Sequence, residues 1–185
     1  IHEYEQYLIA QRMSKEVEDT IIKEFYDLHS HHFVLREAIV KGVLLVVPNG
    51  APNMDLLRKN IQHPEEEENI EWIEKFAYQY ATGYELFLDD WKTVSQIILR
   101  MPFEKDDLNK QLKATRQIEL QDSINTYLLQ VTDLYQANQP MPIEYARPEI
   151  EKIMLAQRQV NFIQQERIGL YEKAIKEGIL KRYEE

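Results

Sequence analysis

Val43-Leu44-Leu45-Val46-Val47, followed at once by Pro48-Asn49-Gly50, is the longest apolar run of a 185-residue chain, and its reading decides the fold. Read as a buried β-strand, the run must find partners, because a lone strand leaves its backbone donors and acceptors unpaired. Strands favour β-branched residues, and no second run rich in them stands elsewhere in the chain. Read as the end of a helix, it needs no partner. The preceding residues fit that reading: Val17, Ile21, Phe25, Leu28, Leu35, Ile39, Val43 and Val46 recur every three or four positions, the spacing of one helical stripe. The periodicity predicts a long first helix that stops at Pro48-Asn49-Gly50-Ala51-Pro52-Asn53, where two prolines and a glycine cannot continue it.

Working outward, Asn53 is placed to cap a short helix through Ile61, and Pro64 opens a second long helix with Glu65, Glu66 and Glu67 in its first turn. That helix carries Ile70, Ile73, Phe76, Tyr80, Tyr84, Phe87, Trp91 and Ile98 on one stripe, weakens at Thr82-Gly83, and closes at Met101-Pro102. Asp106 or Asp107 caps a third, whose apolar positions run from Leu108 to Leu134 with a change of register near Ile118. Pro148 opens a fourth, through Ile150, Ile153, Val160, Ile163 and Leu170.

Five Gly and seven Pro are few for this length, in keeping with helix. The expectation is an all-α fold: an up-down-up-down bundle of four long helices, with a short extra helix after the first, forming a single domain over residues 1–185.

Charge and composition narrow the function. With 32 acidic against 22 basic residues, the formal net charge of −10 repels phosphate backbones and anionic lipid, and no basic face is set apart. Nucleic acid is therefore not an expected partner. The apolar run is far shorter than the roughly 18 residues of a membrane span, so no membrane is expected either. No cysteine is present, which excludes disulfides, thiolate metal sites and a cysteine nucleophile and agrees with a reducing compartment. The opening residues, with Glu3 and Glu5, lack the regions of a signal peptide, and the expected location is cytoplasmic.

The histidine-rich stretch Asp27-Leu28-His29-Ser30-His31-His32 raises a metal question. On a helix, Glu24, Asp27 and His31 share a face, whereas His31 and His32 point about 100° apart, so the three imidazoles cannot meet one ion. The dimetal pattern of helical bundles needs Glu-x-x-His on two helices, and that motif occurs nowhere in this chain. Glu24, Asp27, His31 and His32 are thus weak ligand or metal candidates, and His32 reads as a half-buried imidazole hydrogen-bonded to a neighbouring helix. No cofactor is expected.

No Gly-x-Ser-x-Gly, phosphate-cradling glycine loop, His-Glu-x-x-His or cysteine nucleophile is present, and the chain is not expected to be an enzyme. Glu65, Glu66 and Glu67 form the most acidic patch, a docking surface for a basic partner or simply a solvated helix start. Tyr78 falls off the apolar stripe, and with Trp91 it makes the second helix the candidate contact surface, since aromatic groups with a polar tip are enriched at interfaces. The expected function is contact with a protein partner, self-association included. The alternative is a bundle holding a small ligand or metal near Asp27, His31 and His32.

Overall fold

A computed structural model describes residues 2–102 and 104–178. It overturns the all-α bundle: the fold is mixed, 54% helix and 22% strand, with a four-stranded antiparallel sheet. In chain order the elements are α1 (His2–Arg12), α2 (Asp19–His29), a 3-10 turn (Ser30–His32), β1 (Ile39–Pro48), α3 (Met54–Asn60), α4 (Glu67–Tyr80), β2 (Gly83–Thr93), α5 (Val94–Ile98), α6 (Lys105–Ala114), β3 (Gln117–Gln121), β4 (Asn125–Tyr135) and α7 (Ile143–Lys176).

The decisive run is the middle of β1, and the strand has partners on both sides in the order β2-β1-β4-β3. Val43 stands opposite Leu86 and Gln130, and Leu45 opposite Tyr84 and Leu128. Those partners were hidden because they are rich in Leu, Tyr and Phe rather than β-branched residues. Val43, Leu45 and Val47 pack with Leu57, Ile61, Ile73, Phe76 and Ala77 of the α3 and α4 region. Ala38, Val40 and Leu44 pack instead with Val94, Ile97, Leu108 and Leu112 of the α5 and α6 region. Covered on both faces, β1 reads as unbroken apolar sequence, which periodicity cannot tell from a helix.

The two weak points of the helical reading are true boundaries. α4 ends at Tyr80 and β2 starts at Gly83, where Thr82-Gly83 had suggested a kink, and β3 starts at Gln117, beside the register change at Ile118. α3 occupies the stretch read as a short helix, with Asn53 at its N-cap in the left-handed region (φ 60°) and no side-chain cap bond. α4 starts at Glu67 rather than Pro64. The last helix starts at Ile143, so Pro148 lies inside it, beyond the first turn, and supplies no N–H toward the Glu144 carbonyl.

By contacts the chain falls into two compact units, residues 34–141 and residues 1–33 with 142–185. The first holds the sheet with α3 to α6. Where the chain enters and leaves it, Leu35 N–H donates to the Gln139 carbonyl at 2.9 Å, Asn138 N–H donates to the Leu35 carbonyl at 2.8 Å, and Val34 bridges Pro140.

The sheet carries one deep irregularity. Pairing of β1 with β2 passes from Val40–Lys92 directly to Gly42–Phe87, leaving residues 88–91 opposite Lys41 alone. On the other side it passes from Lys41–Asp133 to Gly42–Val131, leaving Thr132 unpaired. Both neighbours therefore bulge at one level. Gly42 sits at the split with φ +157°, and a Cβ there would lie 2.0 Å from the Gln130 carbonyl oxygen.

The second unit consists of α1, α2, the 3-10 turn and α7, with Leu8, Ile9, Ile22, Phe33, Ala146 and Ile150 buried. Ion pairs fasten the early segments to α7. Arg147 reaches Asp19 at 2.6 Å and Glu151 at 3.1 Å, Arg12 reaches Glu166 at 2.7 Å, and Arg167 reaches Glu5 at 2.6 Å. Arg158 donates to the carbonyls of Ser14 and Glu16 at 2.9 and 2.7 Å. Among the described residues, no helix is long and apolar enough to cross a membrane.

Candidate functional site

The histidine stretch ends α2 and forms the 3-10 turn, so the helical face that would align Glu24, Asp27 and His31 breaks at Ser30. Glu24, Asp27, His31 and His32 are all exposed. The half-buried role expected for His32 is not what is found. The imidazoles of His31 and His32 have centroids 4.0 Å apart, and His29 rests on Phe25 at 4.4 Å. Among the described residues, no group of three or more His, Asp or Glu side chains is arranged to hold a metal ion.

The acidic candidates lie at the start of α4. Glu65 is 3.5 Å from His63 Nδ1, Glu66 accepts from Asn69 Nδ2 at 2.9 Å, and Glu67 is the first residue of the helix, where its charge favours the dipole. Tyr78 is 87% exposed on α4. Trp91 belongs to β2 instead, half-buried, with its ring under Lys41 Nζ at 4.9 Å and edge-on to Tyr135 at 5.2 Å. Tyr78 and Trp91 thus belong to different elements, a helix and a strand, and do not form one helical face.

One polar cluster has the makings of chemistry. Glu37 accepts from Ser95 N–H at 3.0 Å and from Ser95 Oγ at 2.6 Å, while Lys105 Nζ lies 2.9 Å from Glu37 and donates to Ser95 Oγ at 2.6 Å. Burial pushes the Glu37 carboxyl up, but the hydrogen bonds from Ser95 and Lys105 and the Lys105 charge outweigh it and hold the group below its ordinary value. A carboxylate that stays ionised and takes both Ser95 donors is a pin between the entry to β1 and the α5–α6 segment. It fixes the hydroxyl rather than activating it.

The second unit exposes apolar side chains along two of its helices. α7 presents Val160, Ile168, Leu170 and Tyr171 to solvent, and α1 presents Tyr4 and Tyr7. Between these two helices runs a groove of about 480 Å³, walled by Tyr4, Leu8, Ile163 and Leu170 and bordered by Glu5, Glu166 and Arg167. Leu170 and Tyr4 keep 50% and 54% of their surface in water. The Arg167–Glu5 and Arg12–Glu166 pairs hold α1 against α7 along the groove. A second cavity on the same unit, about 520 Å³, is lined by Ile9, Met13, Pro148, Leu155 and Ala156 among others.

The periodicity places Ile163 and Leu170 on the stripe of the last helix, as core of a bundle. The available signal was their number. Two short helices cannot cover both sides of a helix that runs from Ile143 to Lys176.

No family model matches the chain, and no curated protein matches it. Among solved structures, it is similar to one described with two structurally related SurA-like chaperones of the human pathogen Campylobacter jejuni, the virulence factor PEB4 and the periplasmic protein Cj1289. That likeness covers 99% of this chain and 69% of the other, at 12% identity and a TM-score of 0.35, below what a shared fold gives.

Proposed function

We propose that this protein works by non-covalent contact with other polypeptides, taking apolar side chains of extended segments into the groove between α1 and α7. The observation that carries the reading is the groove itself, an apolar trough whose Tyr4 and Leu170 walls remain half in water although ion pairs already fix its two helices together. Apolar surface left open in a fixed cleft is what a binding site needs and a core avoids.

An extended segment suits this surface better than a second copy of the chain. The exposed Val160, Ile168, Leu170 and Tyr171 are interleaved along α7 with Arg158, Glu166, Arg167 and Glu172, so the helix offers separate footholds for single side chains. A stable dimer wants about 800 Å² of continuous surface from each partner. The net charge of −10 favours neutral or basic segments over acidic ones. The reading includes no bond made or broken.

The test is light scattering as a chemically unfolded model protein is diluted into buffer with this protein at equimolar ratio. The intact protein is expected to suppress aggregation, and Tyr4→Ser with Leu170→Ser together to require several-fold more protein for the same effect. Absence of suppression, or suppression untouched by the double substitution, overturns the reading. Sedimentation of the same samples completes the test: a dimer that Leu170→Ser dissociates assigns the groove to a second copy instead.

A further inference from the structure

The split in the sheet opens a cleft that the groove on α7 does not explain. It measures about 660 Å³ and is lined by Gln62 and Glu65 from the segment between α3 and α4, by Leu88 and Asp89 of β2, by Arg116, and by Gln130, Val131, Thr132 and Asp133 of β4. Residues 88–91 and Thr132 are those left out of the pairing with β1, so the cleft exists because both neighbours of Lys41 and Gly42 bulge together.

Its floor holds an unmet acceptor. Gln130 is 8% exposed, its Nε2 donates to the Val131 carbonyl at 3.5 Å, and its Oε1 is buried without a partner among the described residues. Turning the amide over would set Oε1 against that carbonyl, two acceptors together, so the free atom is the oxygen. A buried acceptor left unmet costs stability in the empty protein and repays a donor that reaches it.

Around it the charge is mainly negative. Glu65, Asp89 and Asp133 line the cleft, and Asp89 and Asp133 accept no hydrogen bond from the described residues. Lys41, the cross-strand partner of Asp133, has its ammonium over the Trp91 ring, and Arg116, which also lines the cleft, donates to none of these carboxylates among the described residues.

We propose that this cleft binds a primary ammonium group, that of a lysine side chain on a partner polypeptide, with one N–H given to Gln130 Oε1 and the charge set among Asp89, Asp133 and Glu65. A single buried carbonyl with carboxylates on several sides suits a compact cation with three donors, whereas a guanidinium fork wants two parallel acceptors. The site lies in residues 34–141 and stands independently of the α1–α7 groove.

The test is an NMR titration of the intact, nitrogen-labelled protein with Nα-acetyl-lysine methylamide and with Nα-acetyl-norleucine methylamide, which has the same stem without the charge. The lysine amide is expected to shift the amide signals of Gln130, Val131, Thr132 and Asp133 saturably at millimolar concentration, and the norleucine amide to leave them in place. Gln130→Leu is expected to weaken binding at least fivefold. Asp89→Asn, which lies at the surface and leaves the sheet interior untouched, is expected to weaken it about threefold, so the proposal stays testable should Gln130→Leu fail to fold. No saturable shift with lysine, equal shifts with norleucine, or binding unchanged in Asp89→Asn would each overturn the site.

Discussion

At Gly42 the sheet leaves no room for a side chain. A methyl group there would stand 2.0 Å from the carbonyl oxygen of Gln130, a backbone atom that can yield only if β4 moves, and φ +157° is a region that L residues seldom enter. Gly42→Ala is therefore expected to lower the unfolding free energy by about 3 kcal/mol, read as a fall in the urea midpoint with an unchanged slope, while an alanine at Gly50, where nothing lies within 4 Å, would report only its turn conformation. An isolated glycine within an apolar strand is a known mark of a bulge. The residue was in plain view, but a helical reading of residues 39–47 gives a glycine nothing to do. Of the candidate residues, Glu65, Glu66, Glu67 and Tyr78 are exposed and Trp91 is half-buried, whereas His32, read as half-buried on a stripe, is exposed in a 3-10 turn.

Among the elements, the short α5 shows how local chemistry can be firmer than periodicity. Thr93 Oγ accepts from Gln96 N–H at 3.2 Å and the Gln96 side chain accepts from Thr93 N–H at 2.8 Å, a complete capping box that ends β2 and starts the helix. Thr93→Ala is expected to cost about 1 kcal/mol in thermal or urea unfolding, and Thr93→Ser to cost less because the hydroxyl is kept. The capping pair was present in the sequence, yet the stripe through Trp91 and Ile98 carried the helix straight across it. Spacings of three and four arise in β2 and β4 by accident of Leu, Tyr and Phe placement, and these residues serve helix and strand alike. What decided the outcome was long-range pairing: β1 meets β4 across some eighty residues of chain, and no local window contains that information.

Over the whole molecule, residues 34–141 are an insertion whose two crossings are tied side by side by Leu35, Asn138 and Gln139. A segment that holds its own core and brings its ends together is expected to fold by itself. Residues 34–141 produced alone should give a far-ultraviolet spectrum with both helix and sheet and a single cooperative unfolding transition. A random-coil spectrum would count against two separable units. No run of sequence announces that α1 and α2 pack with α7. That arrangement bears on birth at the ribosome. Leu8, Ile9 and Ile22 emerge early and have no α7 to cover them until more than a hundred further residues have been translated, about 5 to 20 s at ordinary elongation rates. During that wait the nascent chain itself displays sticky helices of the sort that folding helpers shield, and the inserted unit is the part free to condense first.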